Sequence, residues 1–283
     1  MSSLLHRIMN DVQELPTLPT VYHALTEAVE QPIILIDKVA EVISKDQATA
    51  FKILKVTNSP FYGFRGKIDT ISKAIMFLGI NEVKNIVFSL SVARMFSKGN
   101  KIKGFTQQDL WGHSIAVGIL TRVIGQIQGI KNVENYFLAG IIHDIGKLVL
   151  MEYAHDEYAR VFEMVNQKKC FVHEAEKEVL GIDHSEVGLL LAQKWKMPES
   201  IASSISYHQT GVIDGKPDQL VGSVHLANFI SRLFNLGFPG DNFVPQPNMA
   251  VWNSITIPNK FFLSTSNKLF EDFDHTISVM LYS

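Results

Sequence analysis

The chain has 283 residues, 46% of them hydrophobic, and 26 Lys and Arg against 28 Asp and Glu give it a formal net charge of −2. That length and apolar share suffice for one large core or two smaller ones. Basic residues scattered along a near-neutral chain exclude nucleic-acid binding through a basic face.

No apolar run reaches the roughly 18 residues that a membrane-spanning helix needs, and the N-terminus lacks the apolar core of a signal peptide. One cysteine, Cys170, excludes an internal disulfide and suits a reducing compartment. A soluble, cytoplasmic protein without a membrane partner is expected.

Residues 1–14 pattern as a short amphipathic helix. The prolines of Leu15-Pro-Thr-Leu18-Pro19 stop it and start the next one, since proline cannot continue a helix but suits a first turn. Val21–Glu30 is predicted to be helical, ending near Pro32. Ile36, Val39, Ala40 and Ile43 recur at i, i+3, i+4 and i+7, as do Ala50, Ile53, Leu54 and Thr57. The same template fits Ile71, Ala74, Ile75 and Leu78, then Val83, Ile86, Val87 and Leu90. Breaks fall at Asn58-Ser-Pro60, Gly63 to Gly66, and Gly79. Two readings of Asn58 and Ser59 stand: they cap a helix end that Pro60 terminates, or they line a cleft facing the second half.

Lys98–Gly104 is polar and glycine-flanked and reads as a linker. It separates an N-terminal helical subdomain, 1–100, from a helical bundle, 105–234. Residues 235–283 then form a loop, rich in Gly237, Pro239, Gly240, Pro245 and Pro247, and closing helices (Phe261–Leu281) that pack on the bundle. No stretch alternates with period two, so the expected fold is all-α, with the N-terminal subdomain packed on the bundle and a cleft between them.

The stretch Tyr136 to Leu150 begins as an apolar helix, with Phe137, Ile141 and Leu148 on a buried stripe and His143-Asp144 set side by side within it. Neither side chain is cheap to bury without a partner or a metal. Neighbours on a helix point about 100° apart, so both can grip one ion; the alternative is a core histidine beside a capping aspartate. Further histidines lie at Trp111-Gly-His113, opening the apolar helix Ile115–Ile127, at Asp183-His184-Ser-Glu186, at Tyr207-His208-Gln209 and at His225. His113 and His143-Asp144 sit on helices joined by a loop around Gly125–Asn135, and antiparallel packing can bring residues 30 apart into coordination distance. Asp183 and Glu186 either supply charge to His184 or solvate a helix start. His225 and Asn228 share one helix face, and Asn228 can offer a carbonyl oxygen to a metal. His6, His23, His155, His173 and His275 have no partner pattern.

This order of His, His-Asp and a late polar residue resembles the HD superfamily of metal-dependent phosphohydrolases. Leu15-Pro-Thr-Leu-Pro19, Ile53-Leu-Lys-Val-Thr-Asn58-Ser59, Ile71-Ser-Lys-Ala-Ile75-Met-Phe-Leu-Gly79, His184-Ser-Glu-Val-Gly188 and Trp195-Lys-Met-Pro198 are similar to the signature of HDOD domains, the HD-related output domains of bacterial signalling proteins. The resemblance covers about 15 to 230 and makes 105–234 an HD-like bundle. It implies a divalent transition metal (Fe, Zn or Mn) on His113, His143, Asp144, His184, His208 and Asn228, and no nucleotide cofactor. Asp144 and Lys147 are the catalytic candidates, Lys147 as the cation for a phosphate.

Three departures bear on function. Asn228 stands where the superfamily has its late Asp, and Gln209 where cyclic-dinucleotide phosphodiesterases have a second histidine; their Gly-Tyr-Pro element is absent. Asp46-Gln47 in place of the family's Asp-Pro affects only a turn. The implied function is a stand-alone regulatory module that binds a signalling protein or a small phosphate-containing ligand without efficient catalysis. The alternative is a metal-dependent phosphohydrolase acting on a nucleotide or other phosphoester.

Overall fold

The computed structural model describes residues 20–258 apart from 32, 60, 61, 65 and 96–101, together with 261, 271, 273, 274, 277 and 278. The helix expected over 1–14, the proline stretch at 15–19, most of the 98–104 linker and most of the closing helix lie outside the described residues. Those that are described fall into two compact units, one within 96–257 and one within 17–95 joined by residues after 257.

The elements described in the first unit in sequence are helices: α1 (Thr20–Val29), α2 (Ile36–Ser44), α3 (Gln47–Thr57), α4 (Ile71–Leu78) and α5 (Ile80–Met95). Leu25, Val39, Ile43, Ile53, Ala74, Val83 and Ile86 form its core, all but Leu25 on the stripes that the sequence periodicity marks. Asp46 caps α3, its Oδ1 accepting the Thr49 amide at 3.2 Å. At the other end, Asn58 donates from Nδ2 to Ile68 O at 2.7 Å and accepts the Ile68 amide on Oδ1 at 2.8 Å. Asn58 therefore spends its amide on the backbone, as the capping reading requires, whereas the Ser59 hydroxyl is buried without a hydrogen-bond partner and caps nothing.

The second unit carries α6 (Gln107–Ile127), α7 (Glu134–Ile142), α8 (Ile145–Tyr153), α9 (His155–Lys168), α10 (Val172–Leu180), α11 (His184–Lys194), α12 (Glu199–Tyr207), α13 (Gln219–Leu233) and α14 (Met249–Ser254). Between α12 and α13 lies a two-residue antiparallel hairpin, Val212–Ile213 with Lys216–Pro217. Its turn is Asp214-Gly215, both at positive φ, the dipeptide that tight hairpins favour. Among the described residues the fold is all-α apart from this hairpin and an isolated bridge between Ile102 and Phe105, and no single helix is long and apolar enough to cross a membrane.

Helix α6 starts earlier than its apolar stripe suggests. The Thr106 hydroxyl accepts the Asp109 amide at 3.2 Å and the Asp109 carboxylate accepts the Thr106 amide at 2.9 Å, a reciprocal cap that places His113 inside the helix. From Leu110 to Thr121 every residue of α6 is buried, so it is the central element, with α7 and α13 packed along it.

The apolar stretch 136–150 is not one helix. It breaks at His143-Asp144, where the His143 ring binds Gly140 O at 2.7 Å, the carbonyl that a continuous helix would offer to the Asp144 amide.

Two glycines set how closely these helices approach. A Cβ on Gly140 would lie 2.6 Å from Gly118 Cα of α6, and one on Gly146 would lie 1.9 Å from His184 O of α11. Both obstacles are backbone, which cannot swing aside. Gly146→Ala is therefore expected to separate α8 from α11 and to cost about 1–3 kcal/mol or more, read as a lower midpoint in urea unfolding followed by circular dichroism.

Candidate metal centre

Five of the sequence candidates meet in the second unit. His113 comes from α6, His143 and Asp144 from the break between α7 and α8, His184 from the first residue of α11, and His208 from the end of α12. Asp144 is at their centre. Its Oδ2 lies 3.4 Å from His143 Nε2 and 3.8 Å from His113 Nε2, and its Oδ1 lies 3.1 Å from His184 Nε2 and 3.4 Å from His208 Nε2. The side chains are at most 4% exposed. The cluster thus holds two donor triads that share one carboxylate, His113–His143–Asp144 and Asp144–His184–His208, each with donor atoms within 4.8 Å of one another.

The far side of each ring is anchored. His143 Nδ1 faces Gly140 O at 2.7 Å, His208 Nδ1 faces Ile205 O at 2.8 Å, and His113 Nδ1 lies 3.3 Å from the Ser231 hydroxyl. These contacts turn all three Nε2 atoms inward. Burial pushes the His143 imidazole down to about 4 and holds His113 and His208 well below the usual histidine value, so all three are neutral ligands at neutral pH.

His184 differs. Burial works against its charge, but Glu176 beside it carries the ring up to about 9. Burial would also raise Asp144, yet the Lys147 ammonium and the neighbouring His143 and His184 hold its carboxyl well below the ordinary range.

His113 Nε2 and His143 Nε2 are buried without a hydrogen-bond partner. Native interiors rarely tolerate two such atoms together. Inward-facing neutral imidazoles around an ionised carboxylate form the donor set of a divalent transition metal, so the residues fit one.

The other candidates are placed differently. Lys147 is buried, with Nζ 2.7 Å from Asp144 Oδ2 and 3.0 Å from Pro239 O. Asn228 directs its Oδ1 to Arg232 Nε at 3.3 Å, while its backbone oxygen accepts from the Ser231 hydroxyl that touches His113. Gln209 donates from Nε2 to the Ser185 hydroxyl at 3.0 Å and lies 3.5 Å from His184 Nε2. His225 uses both ring nitrogens on backbone, facing His208 O at 3.0 Å and accepting the Asn248 amide at 2.9 Å. Asp183 and Glu186 form the cap of α11: Asp183 Oδ1 accepts the Ser185 and Glu186 amides, and Glu186 Oε2 accepts the Asp183 amide.

Sequence reasoning missed Glu176, which faces His184 Nδ1 at 2.6 Å, and Tyr158, which donates to Glu176 at 2.7 Å. A signal was available. Glu176 stands four residues from both Val172 and Leu180, on the apolar stripe of α10, where an ionisable side chain is buried only with partners. Pro239 and Arg232 gave no signal of this kind.

Lys147→Met would leave the Asp144 carboxylate without its ammonium. The metal-free protein is expected to lose roughly 3–5 kcal/mol, the usual cost of orphaning a buried ion, and added Zn2+ is expected to recover most of that loss. Melting temperatures with and without zinc check this, and an equal loss in both would place the metal elsewhere.

Comparison with known proteins agrees with this architecture. The family model of the HDOD domain matches residues 15–210. An HDOD domain protein of unknown function from Geobacter sulfurreducens superposes with a TM-score of 0.81 at 26% identity, over 99% of this chain and 98% of that one. A Shewanella amazonensis SB2B protein, provisionally named a phosphohydrolase, gives 0.76 at 23% identity, over 99% and 98%. A Marinobacter aquaeolei VT8 protein, provisionally named a signal transduction protein, gives 0.73 at 19%, over 96% of this chain and 61% of its own. At these last two identities the likeness is one of fold. The chain spans less than half the length of the curated relatives it matches.

Proposed function

The chain belongs to the HDOD family, and we propose that it is a regulatory module of signalling whose buried His/Asp cluster holds iron, zinc or manganese without efficient turnover. It acts by binding a signalling protein or a small phosphate-containing ligand. The observation that carries this reading is the closure of the cluster. All five donor side chains are buried, and Lys147 and Pro239 are bonded in series onto the Asp144 oxygen that faces His113 and His143.

A hydrolytic metal needs an open coordination position that the substrate can reach. Here Lys147, the cation nearest the donors, is committed to Asp144 and a backbone carbonyl. Asn228, where the superfamily has a carboxylate, is engaged by Arg232.

One observation favours the second reading, a phosphohydrolase. The two triads use opposite oxygens of Asp144, the arrangement by which one carboxylate could bridge two metals. Such ions would supply Lewis acidity toward a phosphate oxygen.

Protein purified without chelator or nickel resin separates the two. Elemental analysis is expected to find stoichiometric metal, which Asp144→Asn, at the carboxylate that both triads share, loses while circular dichroism stays helical. Metal-loaded wild type is expected to hydrolyse bis(p-nitrophenyl) phosphate no faster than Asp144→Asn does. Robust hydrolysis that Asp144→Asn abolishes would make the protein an enzyme.

A further inference from the structure

Glu176 is fully buried and lies outside both donor triads, yet it is bonded to one of them. Its Oε2 accepts the His184 backbone amide at 2.9 Å and faces the ring Nδ1 at 2.6 Å. Its Oε1 accepts the Tyr158 hydroxyl at 2.7 Å. One carboxylate therefore fixes His184 through backbone and ring together, and Tyr158, itself fully buried on α9, fixes the carboxylate. Held this way, the ring presents Nε2 to Asp144 Oδ1 at 3.1 Å and to His208 Nε2 at 3.3 Å.

The other rings have weaker supports. His143 and His208 lean on neutral carbonyls and His113 on a hydroxyl. A metal at His184 takes the place of the proton on the inner nitrogen, and the carboxylate behind the imidazole then keeps the other proton on the outer nitrogen and strengthens the inner one as a ligand. It also alters the charge balance. A cation in the His184–His208 triad meets Asp144 directly and Glu176 one residue behind, whereas the His113–His143 triad has Asp144 alone, and that from the oxygen that Lys147 occupies.

We propose that Glu176, held by Tyr158, is a positioning residue that makes Asp144–His184–His208 the half of the cluster that takes a divalent metal first. This rests on the reading of the cluster as a metal site.

The test is a titration of chelator-stripped full-length protein with Co2+, followed by calorimetry and by the visible d–d bands, which report coordination geometry. Glu176→Gln keeps the shape and removes the charge. It is expected to weaken the first binding event roughly 10- to 100-fold and to change the bands. Tyr158→Phe is expected to move both in the same direction by a smaller factor.

Because Glu176 acts through His184, Glu176→Gln is expected to add no more than about a 2-fold loss in a His184→Ala background, where independent contributions would multiply. A merely structural role would give that multiplication, and it would overturn the proposal. So would a Glu176→Gln affinity within about 2-fold of wild type. If Glu176→Gln fails to fold, Tyr158→Phe carries the test, and an unchanged Co2+ affinity there is equally fatal. Wild-type protein that takes up no Co2+ would overturn the metal reading itself, and the role of Glu176 with it, whereas wild-type uptake with insensitive variants overturns the positioning role alone.

Discussion

A carboxylate buried in an apolar helical bundle must be compensated, and much of the second unit can be read as the means of compensating Asp144. An unpaired charge in such a place costs several kcal/mol even after relaxation. Lys147 supplies the opposite charge one helical turn away and the charged ring of His184 a second, while the neutral rings of His113, His143 and His208 turn their Nε2 atoms toward the same carboxylate. The helix break at His143-Asp144 makes this geometry available. Asp144 stands at the head of α8 but does not cap it with its side chain, so both oxygens are turned to the cluster. Local structure and site chemistry meet in one residue.

Donor atoms within 4.8 Å of one another stand on helices whose backbones approach closely. Glycine is the solution at both contacts that matter. Gly140 lets α7 lie against Gly118 of α6, which brings His143 toward His113, and Gly146 lets α8 lie against the His184 carbonyl, which brings Asp144 toward His184. The remaining sides of these helices carry large buried residues such as Phe137, Ile141, Leu148 and Val149, which fix the approach by filling the space around it. The donors therefore stand on rigid elements whose separation is set by backbone contact.

The helical fold and the histidines were legible because both are written locally. A 3.6-residue stripe marks a helix regardless of its neighbours, and a histidine in an apolar run is conspicuous by its cost. What was not legible depends on residues far apart in sequence. Glu176 is one acid among several in His173-Glu-Ala-Glu-Lys-Glu, and only the burial of one face of α10 distinguishes it from the solvated ones. Asn228 is compatible with a ligand by composition, and its engagement by Arg232 depends in turn on Asp241 and the Phe243 carbonyl, which hold the guanidinium. The break at residue 143 is invisible to periodicity because the apolar spacing continues across it. The Asp214-Gly215 hairpin had a local signal, but two-residue strands are too short to show alternation.

The closed state of the cluster also has consequences for a signalling role. Any cation that binds Asp144 Oδ2 competes with the Lys147 ammonium for the same lone pairs, and the other bond of Lys147 is to Pro239. Two residues on, Asp241 accepts from Arg232 and from the Val172 amide at the head of α10, the helix that carries Glu176. The segment 239–241 is thus tied on one side to the carboxylate at the centre of the cluster and on the other to the helix that supports His184. Occupancy of the donors and the position of this segment draw on the same few polar groups, the kind of local charge and packing contact on which a switch can act.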